Sequence, residues 1–240
     1  MVTYSDKTLA TIVTQSHQAA VVFEKFNLDF CCKGKRTLYQ ACSEQQLSLD
    51  TVETELNEAI NNTGSINDHL FTEMTLTQLI GYIILKHHFY VKQAMPLIYS
   101  HLEKVAIKHG DRYPYMREVY YKFSELKMDM DSHMKKEEEV LFPRIQYLDK
   151  LSPVERLSIE VLPASIGGPV KVMEAEHDLA GTIMDNIRVL TNNYLAPESA
   201  CTTFKLCLAE LKEFEEDLHR HVHLENHLLF PRAIEMCLIN

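Results

Sequence analysis

Apolar positions in the second half of the chain recur at alternating steps of three and four. Met116, Val119, Phe123, Leu126, Met130, His133, Glu137 and Val140 form one such series; Phe204, Cys207, Leu211, Phe214, Leu218, His221, Glu225 and Leu228 form another. That spacing keeps side chains on one face of a helix, so each series predicts a helix with a single buried stripe. The two series match position for position at a fixed offset of 88 residues, and both run into Leu-Phe-Pro, at 141–143 and 229–231. An internal repeat of two helix pairs is the economical explanation. Two more stripes fit it: Ile84, His88, Val91, Met95, Ile98 and Leu102, and then Met173, His177, Ala180, Met184 and Ile187.

The pattern predicts four long helices, over 75–108, 113–149, 169–194 and 198–236. They are punctuated by His109-Gly110-Asp111, Gly167-Gly168-Pro169 and Ala196-Pro197. Residues 152–166 read as a short helix or loop joining the two halves. Residues 1 to about 65 read as short helices, with Ser16 and Ser48 as N-caps and Gly34 and Gly64 as interruptions. The polar, turn-forming run from Asn61 to Ser65 places a domain boundary there. The expected fold is therefore all-α: a small helical N-terminal module, 1–65, and an antiparallel four-helix bundle, 66–240.

Composition narrows this without changing it. With 240 residues the chain can bury one domain of ordinary size plus a small module, and 7 Gly and 8 Pro suit long helices better than a turn-rich β fold. A net charge of -10 gives no electrostatic reason to seek phosphate backbones or anionic lipid, so nucleic acid is not an expected partner. The longest apolar run, Leu79 to Leu85, is far short of a membrane span, and Met1 to Gln15 has no hydrophobic signal core. Cytoplasmic location is the expectation. The six cysteines include no C-x-x-C pair, which points to reduced thiols and not to a disulfide framework.

The chemistry lies where the stripes turn polar. Each of the two matched series carries His and then Glu at successive core positions, and an unpaired buried carboxylate costs several kcal/mol. A metal removes that cost. The repeat adds one His from each remaining helix, giving His88, His133, Glu137, His177, His221 and Glu225 as candidate ligands. Two six-coordinate ions need about twelve bonds; four imidazoles, two bridging carboxylates and a bridging oxide or hydroxide supply about ten, leaving about two positions open. Imidazole with carboxylate suits iron, manganese, zinc and copper, while a bundle core with bridging Glu favours a paired metal such as iron over a lone tetrahedral zinc. For one histidine an ordinary polar role would win. Six residues in phase with the stripes and related by one offset argue for the metal.

The remaining histidines read differently. His87 falls off the stripe that holds His88, and His219, His223 and His227 flank His221 on other faces, solvent-exposed or in supporting roles. His17, His69, His101 and His109 read as surface residues. Near the N-terminus, Cys31-Cys32 is followed by Lys33, Lys35 and Arg36, and nearby cations raise the reactive thiolate fraction. A redox or ligand-transfer role for Cys31 and Cys32 competes evenly with simple packing of small apolar side chains.

The segments DFCCKGKRTL, HMKKEEEVLFP, EAEHD and HVHLENHLLFP together resemble the di-iron proteins that repair iron-sulfur clusters. The likeness covers almost the whole chain, in the order of a small cysteine-containing module followed by a hemerythrin-like domain. The family's metal ligands fall on the same six residues, and its Cys-Cys pair falls on Cys31 and Cys32, followed here by Lys33-Gly34 where the family has a glycine pair. The resemblance implies two iron ions per chain and repair of clusters damaged by nitrosative or oxidative stress, through donation of iron from a labile centre. It implies damaged iron-sulfur proteins as partners, nitric oxide or oxygen as small ligands, and allows a homodimer. An oxygen- or nitric-oxide-binding sensor, a nitric oxide reductase served by an external electron donor, and a purely structural bundle are the competing readings.

Overall fold

The computed structural model describes residues 2–62, 70–158 and 164–238. Of the boundary run Asn61 to Ser65, Asn61 and Asn62 end the fourth helix and residues 63–65 lie outside the described residues, as does His69. Among the described residues there is no strand; a single antiparallel bridge joins Thr8 to Thr37.

Four short helices come first: α1 (Leu9–Gln15), α2 (Gln18–Lys25), α3 (Leu38–Glu44) and α4 (Leu49–Asn62). Local chemistry sets their starts. The Thr8 hydroxyl accepts from the Thr11 N–H, and Thr37 and Gln40 form a reciprocal capping box at α3. Ser48 caps α4, its Oγ accepting from the Thr51 N–H at 3.4 Å. Ser16 does not cap: it closes α1 at the C-terminal end, and its hydroxyl has no partner. Two residues, Ser16 and His17, separate α1 from α2, and His17 holds the N-cap position of α2.

After the small helix α5 (Leu70–Glu73), the repeat appears as long rods. The first is α6 (Leu76–Ile83) and α7 (Phe89–His109), joined by a π turn at Ile84–His88. The second is α8 (Tyr115–Lys136) and α9 (Phe142–Lys150), joined by a π turn at Glu137–Leu141. A short α10 (Pro153–Ser158) precedes the third rod, α11 (Ala164–Leu190). The fourth is α12 (Thr202–Leu224) and α13 (Phe230–Leu238), with a π turn at Glu225–Leu229. Side-chain pairs run in opposite numerical directions between packed rods: Tyr99 with Tyr120 and His88 with Glu138, His101 with Glu210 and His87 with Asp217. The first rod is thus antiparallel to the second and to the fourth.

Gly167-Gly168-Pro169 is expected to punctuate the chain ahead of the third helix and instead lies inside α11. Pro169 is the sixth residue of α11, past the four N–H groups that lack helical partners, so the helix carries it at the loss of one backbone hydrogen bond. At the other end α11 stops at Leu190, short of 194, where Asn192, Asn193 and Tyr194 take left-handed φ values of 49°, 57° and 60°. Such a run cannot continue a right-handed helix.

Two apolar clusters fill the interior. One unites the N-terminal module (Leu9, Ile12, Val13, Phe23, Phe30) with one end of the bundle (Val91, Phe123, Met130, Met184, Leu218). The other holds Leu79, Ile83, Phe142, Ile145, Val170 and Phe230. The His and Glu residues of the stripes fall in sequence between the two sets.

The stripes are buried as expected except at Ile84, which is half-buried, and Val140, which is 42% exposed, while Leu141 is 1% exposed. Val140 lies in a π turn, although Leu228, at the same place in the third π turn, stays buried. The Phe142 N–H bonds Glu137 O, five residues back, so one extra residue rotates the phase of everything after it. The same i to i−5 bond joins Phe89 to Ile84 and Phe230 to Glu225.

Phe123 is fully buried and meets Phe214 edge-on at 5.5 Å. Phe123→Ala is expected to lower unfolding stability by about 3–5 kcal/mol. Val140→Ala, though a stripe position by spacing, should change it by no more than about 0.5 kcal/mol. Denaturant unfolding of both variants checks the phase shift directly.

Candidate metal centre

His88 ends the first π turn, Glu137 begins the second and Glu225 begins the third. His133 and His221 stand one turn before their Glu, and His177 lies mid-way along α11. All six side chains are buried, at 0–2% exposure. Two groups form, His88–Glu137–His221–Glu225 and His133–Glu137–His177–Glu225, with the ligand atoms of each within 4.8 Å of one another. Both carboxylates belong to both groups.

The distances show how closely the donors face one another. His88 Nε2 lies 3.1 Å from His221 Nε2, and His133 Nε2 lies 3.0 Å from His177 Nε2. Glu137 Oε2 is 3.4 Å from His88 and 3.3 Å from His133; Glu225 reaches His221 at 3.0 Å and His177 at 3.1 Å. Neither oxygen of Glu137 has a hydrogen bond of good geometry, and Oε2 of Glu225 has none.

The outer nitrogens explain why the inner ones converge. His88 Nδ1 contacts Glu138 at 2.7 Å, His133 Nδ1 contacts Glu176 at 2.9 Å, and His177 Nδ1 contacts Asn226 Oδ1 at 2.8 Å. Each acceptor draws the ring proton to Nδ1 and leaves the Nε2 lone pair pointing inward. Lys92 and Lys136 hold the two outer carboxylates in turn.

Without a cation this layer is electrostatically awkward. Burial lowers the pKa of His88 and of His177, but hydrogen bonds and charge from Glu137 and Glu225 overcome it, lifting them to about 10 and about 9. Burial drives His221 down to about 4 in spite of Glu225. Burial, with Glu225 beside it, raises Glu137, whereas His221, His177 and His88 outweigh burial and hold Glu225 well below the carboxylate range. Protons and charges must therefore be packed unevenly into one dry layer. Divalent or trivalent cations fit the donor set better: imidazole nitrogens and shared carboxylates suit transition metals.

Several residues lie elsewhere than the spacing suggested. His87 is 3% exposed, stacked parallel to His221 at 5.6 Å, with Nδ1 3.0 Å from Asp217. His223 is buried, His219 contacts Glu24 at 2.9 Å, and His227 donates to the Cys31 carbonyl at 2.6 Å. The N-terminal module covers that face of α12, which is why none of them is a solvent-facing residue. His101 pairs with Glu210, His109 with Cys201, and His17 meets Phe71 edge-on at 4.6 Å, so these three are half-buried and not surface groups.

Cys31 and Cys32 lie outside the His and Glu layer but against its back. Cys32 Sγ donates to the His177 carbonyl at 3.6 Å, and the two sulfurs, both free thiols, are 3.8 Å apart. Their closest charge is an anion: Asp29 Oδ1 accepts from the N–H groups of Cys31 and Cys32 and from the Cys31 thiol. The Cys32 hydrogen bond, burial and Asp29 together push the Cys31 thiol well up, the reverse of the activation that the neighbouring lysines suggested. Lys33 and Lys35 are both exposed, and neither contacts a thiol.

Glu138, Glu176 and Asn226 escaped the sequence reading. A signal existed, since Glu138 and Asn226 follow the two Glu of the repeat at the same offset of 88.

A helical bundle with this layer is a cation-binding protein of the hemerythrin class, and residues 79–233 match the family described as "Hemerythrin HHE cation binding domain". Residues 5–60 match a second family, described as a "Domain of Unknown function (DUF542)". Over 231 residues the chain is 35% identical to the iron-sulfur cluster repair protein YtfE of Yersinia pseudotuberculosis serotype O:1b (strain IP 31758), covering 96% of this chain and 98% of that protein. The YtfE protein of Yersinia pestis (strain Pestoides F) is 34% identical over the same share of each chain. The chain belongs to the family of these iron-sulfur cluster repair proteins.

A Cβ on Gly34 would overlap the Phe30 carbonyl and sit 2.8 Å from His227 Nε2, whereas one on Gly81 would meet nothing. Gly34→Ala should therefore lift the cysteine loop and make Cys31, 2% exposed, alkylate faster. Gly81→Ala should leave its rate unchanged. Timed alkylation with peptide mapping measures both.

Proposed function

We propose that the chain binds two iron ions between His88, His133, Glu137, His177, His221 and Glu225, and supplies iron to damaged iron-sulfur clusters. What carries the reading is the sharing of Glu137 and Glu225 by two His pairs, an arrangement that asks for two cations and not one. The relatives' printed name supports the repair role. Iron bound there, with about two coordination positions left by the protein donors and a bridging oxide or hydroxide, can exchange ligands more readily than iron in a closed cage.

The chain's own residues do the rest. His88 and His221 hold one position and His133 and His177 the other, the two carboxylates lie between them, and Glu138, Glu176 and Asn226 keep three of the rings turned inward. Residues 1–65 and 66–240 act as two modules, the first placing Cys31 and Cys32 behind His177 as candidates for thiol chemistry on iron in transit. All six cysteines are free thiols, which suits the reducing cytoplasm where such clusters are assembled.

Two measurements test this. Glu137→Leu and Glu225→Leu each replace a buried carboxylate in an otherwise apolar stripe, so helical circular dichroism should persist while bound iron falls from two per chain to one or fewer and paired-iron Mössbauer features disappear. Iron-loaded protein mixed with a damaged cluster enzyme should restore activity faster than the same amount of free iron. Equal rates would sink the donor role while leaving the metal site intact.

A further inference from the structure

The internal repeat is broken at one place next to the metal layer. His88 and His177 are repeat partners, so the residues before them, His87 and Glu176, are partners too. Glu176 Oε2 holds His133 Nδ1 at 2.9 Å and is itself held by Lys136. Its counterpart, His87, turns away to Asp217 and only stacks on His221. His221 Nδ1 is in consequence buried with no hydrogen-bond partner. The position equivalent to Lys136 is Leu224, so the supporting cation is missing as well.

The space outside the two rings differs in the same sense. Beyond His133 lies a cavity of about 150 Å³ bounded by Asp129, Lys136 and Glu176. Beyond His87 lies one of about 580 Å³ bounded by Tyr82, Lys86, Tyr90, Asp217 and Arg220, reached between the N-terminal module and the bundle. The ring of His87 stands between that cavity and His221.

We infer that the two metal positions are unequal, and that the one between His88 and His221 is the exchangeable one, with His87 as the positioning residue that keeps it so. An outer acceptor fixes a ligating imidazole and raises its basicity, and loss of one weakens metal binding about 10–100-fold. The His133–His177 position has two such acceptors, Glu176 and Asn226; the His88–His221 position has one, Glu138. The larger cavity gives a chelator or a client's ligand its approach on the weaker side. This inference rests on the paired-iron reading above and assigns the donated ion to one of its two positions.

Iron release from the loaded full-length chain to a chromophoric chelator is the test, with stoichiometry from elemental analysis and both states followed by Mössbauer spectroscopy. The unaltered protein is expected to lose one iron per chain in a fast phase and the second at least about tenfold more slowly. Glu176→Ala should bring the slow phase up to the fast one. His87→Glu, which restores the carboxylate that the repeat has on the other side, should slow the fast phase, with Arg220 of the same cavity available as its counter-ion. Two irons leaving in a single phase, or phases that neither variant shifts, overturn the inference and leave the paired site standing. Fewer than two irons in the loaded protein overturns the paired reading and this inference with it.

Discussion

Everything in this fold is arranged around one constraint: two carboxylates and four imidazoles buried together, away from water. Glu137 and Glu225 each lie within reach of both His pairs, and both oxygens of Glu137, Oε2 of Glu225 and Nδ1 of His221 are buried without a hydrogen-bond partner. A cation held between the rings would resolve that conflict, and the bundle carries an apolar cluster to either side in sequence, so the polar layer is confined to one level. The π turns at Ile84–His88, Glu137–Leu141 and Glu225–Leu229 belong to the same solution. Each inserts a residue at the layer, aims a ligand inward and rephases the helix beyond it so that its far end still buries an apolar face.

The N-terminal module is part of this arrangement and not an appendage. Phe30 packs edge-on to His219 and His223, Glu24 and Asn27 pair with His219 and Arg188, and the Cys31–Cys32 loop closes on His177 and His227. Close approach of this kind explains small residues that helix propensity alone would not select. Gly34 faces His227, and Gly181, one turn beyond His177, leaves room for Cys32 Sγ, which would lie 3.3 Å from a Cβ there. The module thereby covers one side of the metal layer and bounds the larger of the cavities that approach it.

Much of the candidate site could be read from the chain because helical stripes convert spacing into direction. A His and a Glu four residues apart on an apolar stripe must both point into the core, and a repeat at a constant offset names their partners. The same logic failed where direction depends on neighbours. Val140, within a π turn, left the core, and Gly167-Gly168-Pro169 lies inside a helix that it was expected to precede. His87, one residue from a candidate ligand, falls off the stripe by phase, yet it is buried, stacked on His221 and bonded to Asp217 of the fourth rod. The lysines beside Cys31 suggested an activated thiol, but the group that meets the sulfur is Asp29, folded back by a tight turn.

By itself the sequence determined the helical class, the internal repeat and the six residues that converge, since all of these follow from periodicity within helices and the constant offset between them. Tertiary structure alone decided which outer groups hold each ring, where the cysteine loop lies and how the two halves of the metal layer differ. Those are contacts between residues far apart in sequence, such as His87 with Asp217 and His227 with Cys31. No pattern along one helix can specify what a second helix presents to it. The ring of His221, turned inward with no partner at its back, exists only because the rods met in this register.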